Sequence, residues 1–375
     1  METTDVEAVV RSDAALLEDD LAEFLGSLTA PARTAASVHD TALRRSLYEP
    51  VADAVGSKIG QQALPPTAAT PGGRAPLRPS MVYWAYRNYR GFPGELAAGV
   101  TPAAGDDPAA ELAVIRRTAV AVRILLKAAV ALDDIQDGSD VRYGEPALHA
   151  THGVPLALNT GAWLIMSALR HTADPAVVDS LVRSVGDGFT GQAVDMSSRT
   201  ALTRAELLAA PRAVRVGFWE ETAALKTGTL FRMPLDAAVA GLRVVEDDRL
   251  ALDGAMRQLG LASQLFNDLT DFVPELGGAN THEDFDGLGN RVLLELLDDV
   301  PPEAEFKRYV LGHPKLERTL LALAEEAVAL KRAAKDAVHG VCRSERSAAY
   351  FDVTIERKGH LIDRLLATVR QRSGV

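Results

Sequence analysis

The sequence holds a single cysteine, Cys342, which excludes an intramolecular disulfide and any cysteine-rich metal site. Aromatic residues make up only 5% of the 375 positions, against 47% hydrophobic overall, with alanine and leucine abundant. Strands collect β-branched and aromatic side chains, so this balance favours packed helices. Basic charge is in deficit, with 40 lysines and arginines against 51 aspartates and glutamates, a formal net of −11. Such a surface repels a polyanion, which argues against nucleic-acid binding unless a local basic patch overrides it. No run of about 18 uncharged apolar residues is present. The start, Met1-Glu2-Thr3-Thr4-Asp5, lacks the basic opening and apolar core of a signal peptide. A soluble cytoplasmic protein is the expectation, although an oily substrate would still bring it to a membrane surface.

Residues 1–38 read as an acidic, partly helical lead, with Asp13 to Leu28 as its helix and Ala30-Pro31-Ala32-Arg33-Thr34 as a break. Thr41 to Gly56 reads as another helix. From Gln61 to Pro79, repeated proline and glycine rule out regular structure. Arg74 and Arg78 lie within this loop; arginines there are by default surface charge, but guanidinium forks beside a glycine turn also grip phosphate. A helix over Met81 to Tyr89 and an irregular link to Pro108 follow. Beyond it, helical patterns run over 110–137, 153–170, 175–197, 203–209, 213–240, 246–273, 291–299, 303–311, 314–340 and 344–371. There is no convincing strand and no repeat at a period of 20–50 residues. The chain is long enough for one large domain or two ordinary ones.

Two acidic clusters organise this helical series. The first is Ala131-Leu132-Asp133-Asp134-Ile135-Gln136-Asp137, with Arg142 shortly downstream. In a helix Asp133 and Asp137 share a face at i and i+4, with Asp134 flanking them. Three carboxylates this close repel one another, so something positive belongs between them. Hard oxygen donors suit Mg²⁺, which takes one or two carboxylates plus the oxygens of a substrate phosphate. The bland alternative is a solvated acidic face. The second cluster is Asn267-Asp268-Leu269-Thr270-Asp271, also on a long helix. An antiparallel bundle is expected to bring two such clusters face to face across a central cavity, as bundle metal sites are built.

Further positions suit a diphosphate. Lys226 interrupts an otherwise apolar helix, where its head needs an anion if buried. Gln192 and Asp195 lie at i and i+3 on one face, and Gln264 shares a face with Asn267 and Asp268. Singly, each is more often an ordinary polar residue in a satisfied network. Their joint occurrence carries the weight.

At these residues the sequence resembles the trans-isoprenyl diphosphate synthases, especially the geranylgeranyl diphosphate synthase branch. The first aspartate-rich motif and its arginine segment correspond to Asp133 to Asp137 and Arg142 to Pro146. The Gly-Gln-x-x-Asp motif corresponds to Gly191, Gln192 and Asp195, the Lys-Thr motif to Lys226 and Thr227, and the second aspartate-rich motif to Gln264, Asn267, Asp268 and Asp271. The resemblance runs over roughly residues 40 to 300. It implies an all-α fold of isoprenoid synthase type, a helical bundle around a central cavity, formed by residues 39–375. It further implies a Mg²⁺ cluster of up to three ions on Asp133, Asp134, Asp137, Asn267, Asp268 and Asp271. An allylic prenyl diphosphate would be the first substrate, with Arg142, Lys226 and Gln264 stabilising the leaving diphosphate and Arg74, Arg78, Gln192 and Thr227 binding substrate. Ala128 and Ala129 stand where the family uses bulky side chains to stop short products, so a product of about C20 or longer is implied, unless the alanines merely pack a helix crossing. A homodimer is also implied.

The departures fall on the second substrate, isopentenyl diphosphate. Gly72-Gly73-Arg74 and Arg78 carry one extra residue of spacing, Leu126 replaces a histidine, Tyr143 replaces a second arginine, and the lysine after the second motif is absent, with Asn290 or Arg291 near its place. Each lost charge-assisted hydrogen bond removes roughly 1.5–3 kcal/mol unless neighbours such as Arg123 or Lys127 compensate. Chain elongation with isopentenyl diphosphate is the leading reading. Terpene cyclisation or transfer to another acceptor is the runner-up, and a non-catalytic subunit of a synthase pair is the third. Asn267 to Glu275 loosely resembles the metal motif of terpene cyclases, but Asp271 stands in the serine position and Pro274 is expected to end the helix before Glu275.

Overall fold

Alanine, leucine and valine in helical register produce a chain that is almost wholly helix. The computed structural model describes residues 3–33, 37–56, 77–94, 107–142, 144–273, 276, 288–299 and 306–374. Arg74, Tyr143, Pro274 and Glu275 lie outside the described residues, and with them the expectations placed on the glycine loop and the proline break. In chain order the helices are α1 (Thr3–Arg33), α2 (Val38–Leu43), α3 (Glu49–Gly56), α4 (Leu77–Arg90), α5 (Pro108–Asp137), α6 (Leu148–His152), α7 (Val154–Thr172) and α8 (Pro175–Ser197). They continue with α9 (Ala201–Ala209), α10 (Arg212–Ala223), α11 (Thr229–Gly241), α12 (Glu246–Thr270), α13 (Arg291–Leu296), α14 (Phe306–Leu311), α15 (Leu316–Val341) and α16 (Glu345–Ser373).

The chain forms two units: 1–182 with 233–249 and 341–355, and 183–232 with 250–340 and 356–375. The first is organised around α5. Asp107 caps its start, accepting from the Ala109 N–H at 2.9 Å, and Pro108 at the first helical position costs no hydrogen bond. Its middle, from Thr118 to Leu125, is buried without interruption, so this part of the helix needs neighbours all round. Helices α1, α4 and α7 supply them. Gly161 of α7 allows the closest approach, since a Cβ there would lie 2.8 Å from Leu132. The opening helix is fully integrated: Val6, Val10, Leu17 and Leu21 are buried, and Asp13 accepts from Arg87 of α4 and from the Tyr350 hydroxyl of α16.

The second unit has its core where α10, α12, α13, α15 and the end of α16 meet, in Trp219, Leu265, Leu269, Leu293, Leu320, Ala324 and Leu365. Several local features differ from the sequence reading: the helix expected from Thr41 to Gly56 is interrupted by a π-turn at Arg44–Tyr48, and α4 opens at Leu77, inside the stretch to Pro79 expected to be irregular. The first helix runs through Pro31 to Arg33 rather than breaking at Ala30. The helix expected over 213–240 is interrupted by a π-turn, Ala224–Gly228. A hairpin of two-residue strands, β1 (Val141–Arg142) and β2 (Glu145–Pro146), follows the first acidic cluster where no strand was expected; such strands are too short to show alternation.

Candidate active site: two acidic clusters

In the first unit the acidic cluster closes α5. Gly138 takes the left-handed conformation (φ 69°) that stops the helix, and the hairpin turns the chain back. That reversal lays Arg142 on the carboxylates: its Nη2 donates to Asp133 Oδ2 at 2.7 Å and its Nε to Asp134 Oδ1. The positive partner required by three adjacent carboxylates is therefore built in. Asp134 is 0% exposed and Arg142 8%, whereas Asp133 and Asp137 are partly exposed. Asp133 and Asp137 stand one turn apart at the end of α5 and carry oxygens of the hard kind that a divalent cation takes.

The neighbours offered by the sequence as replacement cations are both buried. Burial pushes the Arg123 guanidinium below its usual pKa, against the pull of Glu18. Lys127 lines a cavity of about 210 Å³ together with Asp53, Asp134, Glu145, Leu148 and Thr151. With Asp134 already paired to Arg142, Asp53 and Glu145 still outnumber the one lysine, which makes that cavity a poor host for a diphosphate. Ala128 is buried and Ala129 partly so, and neither lines it. Arg78 sits half-buried at the start of α4.

In the second unit, glycines bring the polar residues together. A Cβ at Gly191 would meet the Leu225 and Lys226 backbone at 2.5–2.7 Å, so α8 abuts the π-turn. Lys226 Nζ then donates to Asp195 Oδ2 at 2.7 Å, while Gln192 is buried one turn away. Gly260 lies against Gly228, a built Cβ meeting its Cα at 2.5 Å. One turn further along α12, Thr227 Oγ1 donates to Gln264 Oε1, and Gln264 Nε2 donates to Asp268 Oδ1 at 2.7 Å. Two more donors converge on Asp268 Oδ2: the Trp219 indole N–H and the Arg291 backbone N–H, both at 2.8 Å. Asn290 caps α13 and donates its amide to the Asp268 carbonyl and to Asp271 Oδ2, each at 3.0 Å. Asn267 is exposed and Asp271 partly exposed.

The structure thus brings Asp133, Asp134 and Arg142 together in one unit, and Thr227, Gln264 and Asp268 in the other, with Lys226 on Asp195. Among the described residues no three His, Cys, Asp or Glu side chains converge to hold a metal ion. Asp268 in particular does not fit the ligand role expected of it, because its carboxylate is 1% exposed and taken by three donors. Trp219, Asn290 and the Arg291 amide were not foreseen as parts of the cluster; the only hint was that Asn290 and Arg291 stand near the missing lysine.

Helical architecture and motif order together define an isoprenoid synthase fold. The chain matches the polyprenyl synthetase family over residues 67–286 and belongs to it. It is similar to a polyprenyl synthase from Caulobacter crescentus CB15 whose structure is complexed with calcium and isoprenyl diphosphate, with 21% identity, TM-score 0.63, and 98% of each chain covered. Among curated relatives it is 32% identical over 177 residues to geranylgeranyl pyrophosphate synthase 2 of Zymoseptoria tritici, covering 46% of this chain and 48% of that one. It is 29% identical over 181 residues to fusoxypene synthase of Fusarium oxysporum, covering 46% of this chain and 24% of that one. The chain therefore spans a quarter to a half of the length of these relatives. No helix among the described residues is long and apolar enough to cross a membrane.

Proposed function

We propose that the protein ionises an allylic prenyl diphosphate with Mg²⁺ and transfers the prenyl group to isopentenyl diphosphate, elongating the chain. The observation that carries this reading is that the family match, residues 67–286, contains every candidate site residue from Arg74 to Asp271. Asp133 and Asp137 would hold the metal at the first cluster. When bound, Mg²⁺ supplies positive charge where the leaving diphosphate gathers negative charge. Arg142 and Lys226 would add fixed cations, each already oriented by a carboxylate. The apolar surroundings of α5 keep water from a prenyl cation.

A second reading, cyclisation or transfer to a different acceptor, is favoured by one observation: Leu126 stands where the family has a histidine, and the nearby Lys127 faces an acidic cavity. Similarity to fusoxypene synthase supports the same direction. Incubation with Mg²⁺ and farnesyl or geranylgeranyl diphosphate, with and without isopentenyl diphosphate, separates the two. Longer diphosphates formed only with isopentenyl diphosphate establish elongation. A hydrocarbon or terpene alcohol formed without it establishes cyclisation. No turnover in either mixture, with rescue by a partner protein, establishes the non-catalytic subunit.

The homodimer implied by the resemblance is supported by α7. Val154, Leu158, Ala162 and Met166, spaced by four, make an exposed apolar stripe along one face.

A further inference from the structure

We infer that the outer surface of α9 and the start of α10 docks on an anionic lipid surface. Docking there does not depend on which acceptor takes the prenyl group.

Leu202, Leu208 and Val214 are 71%, 47% and 57% exposed, and Ala205, Ala209 and Ala213 between them are exposed as well. Among the exposed residues of 201–214 only Glu206 and Arg212 carry charge. Apolar side chains scattered singly over a surface need no explanation, whereas a run of them gathered on one short segment marks a face that meets another apolar phase. The segment is firmly held. Thr200 caps α9, accepting from the Thr203 N–H at 3.4 Å, and Leu207 is buried in the core of the second unit. Arg215, 1% exposed, donates to the Ala210 carbonyl at 2.8 Å, to the Leu294 carbonyl at 3.2 Å and to Asp298. The fold therefore presents these leucines outward from a fixed base, and fraying does not account for their exposure.

Charge identifies the occupant. From Met196 to Trp219 the chain carries four arginines, at 199, 204, 212 and 215, against one acid, Glu206, although the whole sequence has a formal net of −11. Arg199 and Arg204 are partly exposed, and the Arg212 side chain remains 60% exposed while it pairs with Glu295. A basic fringe around an apolar patch complements acidic headgroups lying over hydrocarbon, and the acidic surface elsewhere on the chain turns this face toward them. A second copy of the same face would set arginine against arginine. The segment links α8, which carries Gln192 and Asp195, to α10, so docking there keeps an oily prenyl product near the phase in which it dissolves.

The test is co-sedimentation of the full chain, without substrate, with vesicles of equal parts phosphatidylcholine and phosphatidylglycerol at low salt. Binding is expected, about tenfold weaker on phosphatidylcholine alone and weakened again in about 1 M salt, where the screening length falls to about 3 Å. Leu202→Ser, Leu208→Ser and Val214→Ser together are expected to lower binding by about tenfold or more, with the unfolding midpoint and the mass in solution unchanged. No binding to the mixed vesicles, equal binding to phosphatidylcholine alone, or binding that the triple substitution leaves intact overturns the inference. A smaller mass in solution for the triple variant shows that a second copy covers this face, and overturns it too. If the triple variant has a lowered midpoint, Leu202→Ser alone decides: a loss of about threefold supports the inference, and no loss overturns it. None of these failures touches the proposed function, whose readout is the product formed.

Discussion

The two acidic clusters solve one electrostatic problem in different ways. Each buries a single aspartate, Asp134 at 0% exposure and Asp268 at 1%, and leaves its neighbours at i−1 and i+3 nearer to solvent. The first buried carboxylate is neutralised by a guanidinium that the next hairpin folds back. The second is held by neutral donors, an indole, a side-chain amide and a peptide N–H. Local chain reversal is enough for the first arrangement, because Arg142 lies only eight residues from Asp134. The second needs partners 49 and 23 residues away and a close helix crossing. The first cluster is therefore a local motif and the second a product of tertiary packing.

The largest effect that would break this contrast is expected at Asp134. Asp134→Ala takes the buried partner from the Arg142 guanidinium, leaving the more exposed Asp133, and should cost up to about 3–5 kcal/mol in urea unfolding; a cost below 1 kcal/mol would mean that Arg142 does not depend on Asp134. Asp133→Asn, on the more exposed partner, should cost at most about 1 kcal/mol. It should also lower kcat/KM for prenyl transfer by about 100-fold, a loss of transition-state stabilisation of about 2.7 kcal/mol. Equal stability losses at the two positions would erase the division between anchor and outward carboxylate.

Gly260→Ala probes the packing on which the second cluster depends. Its methyl meets the Gly228 backbone, which cannot retract like a flexible side chain, and should cost about 1–3 kcal/mol. The same change is expected to disturb the Thr227–Gln264 contact and to leave the first cluster untouched; unaltered unfolding would show that the helices have slack there.

The change with the least bearing on either cluster is expected at Cys342, remote in sequence from both. Burial first, then the charge of Asp352, pushes its thiol up to about 12. A raised pKa favours the protonated form in the fold, so the associated stability is complete below the ordinary thiol value near 9 and is lost as pH rises toward 12. At pH 8 iodoacetamide should label it about a thousandfold more slowly in the folded than in the unfolded protein. Equal rates would refute the burial argument.

What was legible in the sequence follows the same division. α5 was expected over 110–137 and runs Pro108–Asp137, because its capping aspartate, first-position proline and closing glycine all act locally. The need for a cation beside Asp133 and Asp134 also followed from spacing alone. The π-turn at Lys226 left no trace in hydropathy, since both helix types place apolar residues alike over five positions. Trp219 lies in the core; that its N–H also holds Asp268 depends on a contact across 49 residues that no local pattern carries. Proline at position 31 was read as a stop, yet the backbone remains helical to Arg33.

The Asp13–Tyr350 hydrogen bond spans 337 residues. Trp84 likewise waits for the carbonyl of Ser347, and Asn88 for that of Val341. Residues 13, 84 and 88 thus leave the ribosome well before the partners that seal them at 341–350, and the apolar faces of the first unit stay uncovered in the interval. Nascent chains arrested before residue 341 should engage chaperones and be cut readily by proteases, while emergence of residues 341–355 should confer resistance on the first unit abruptly.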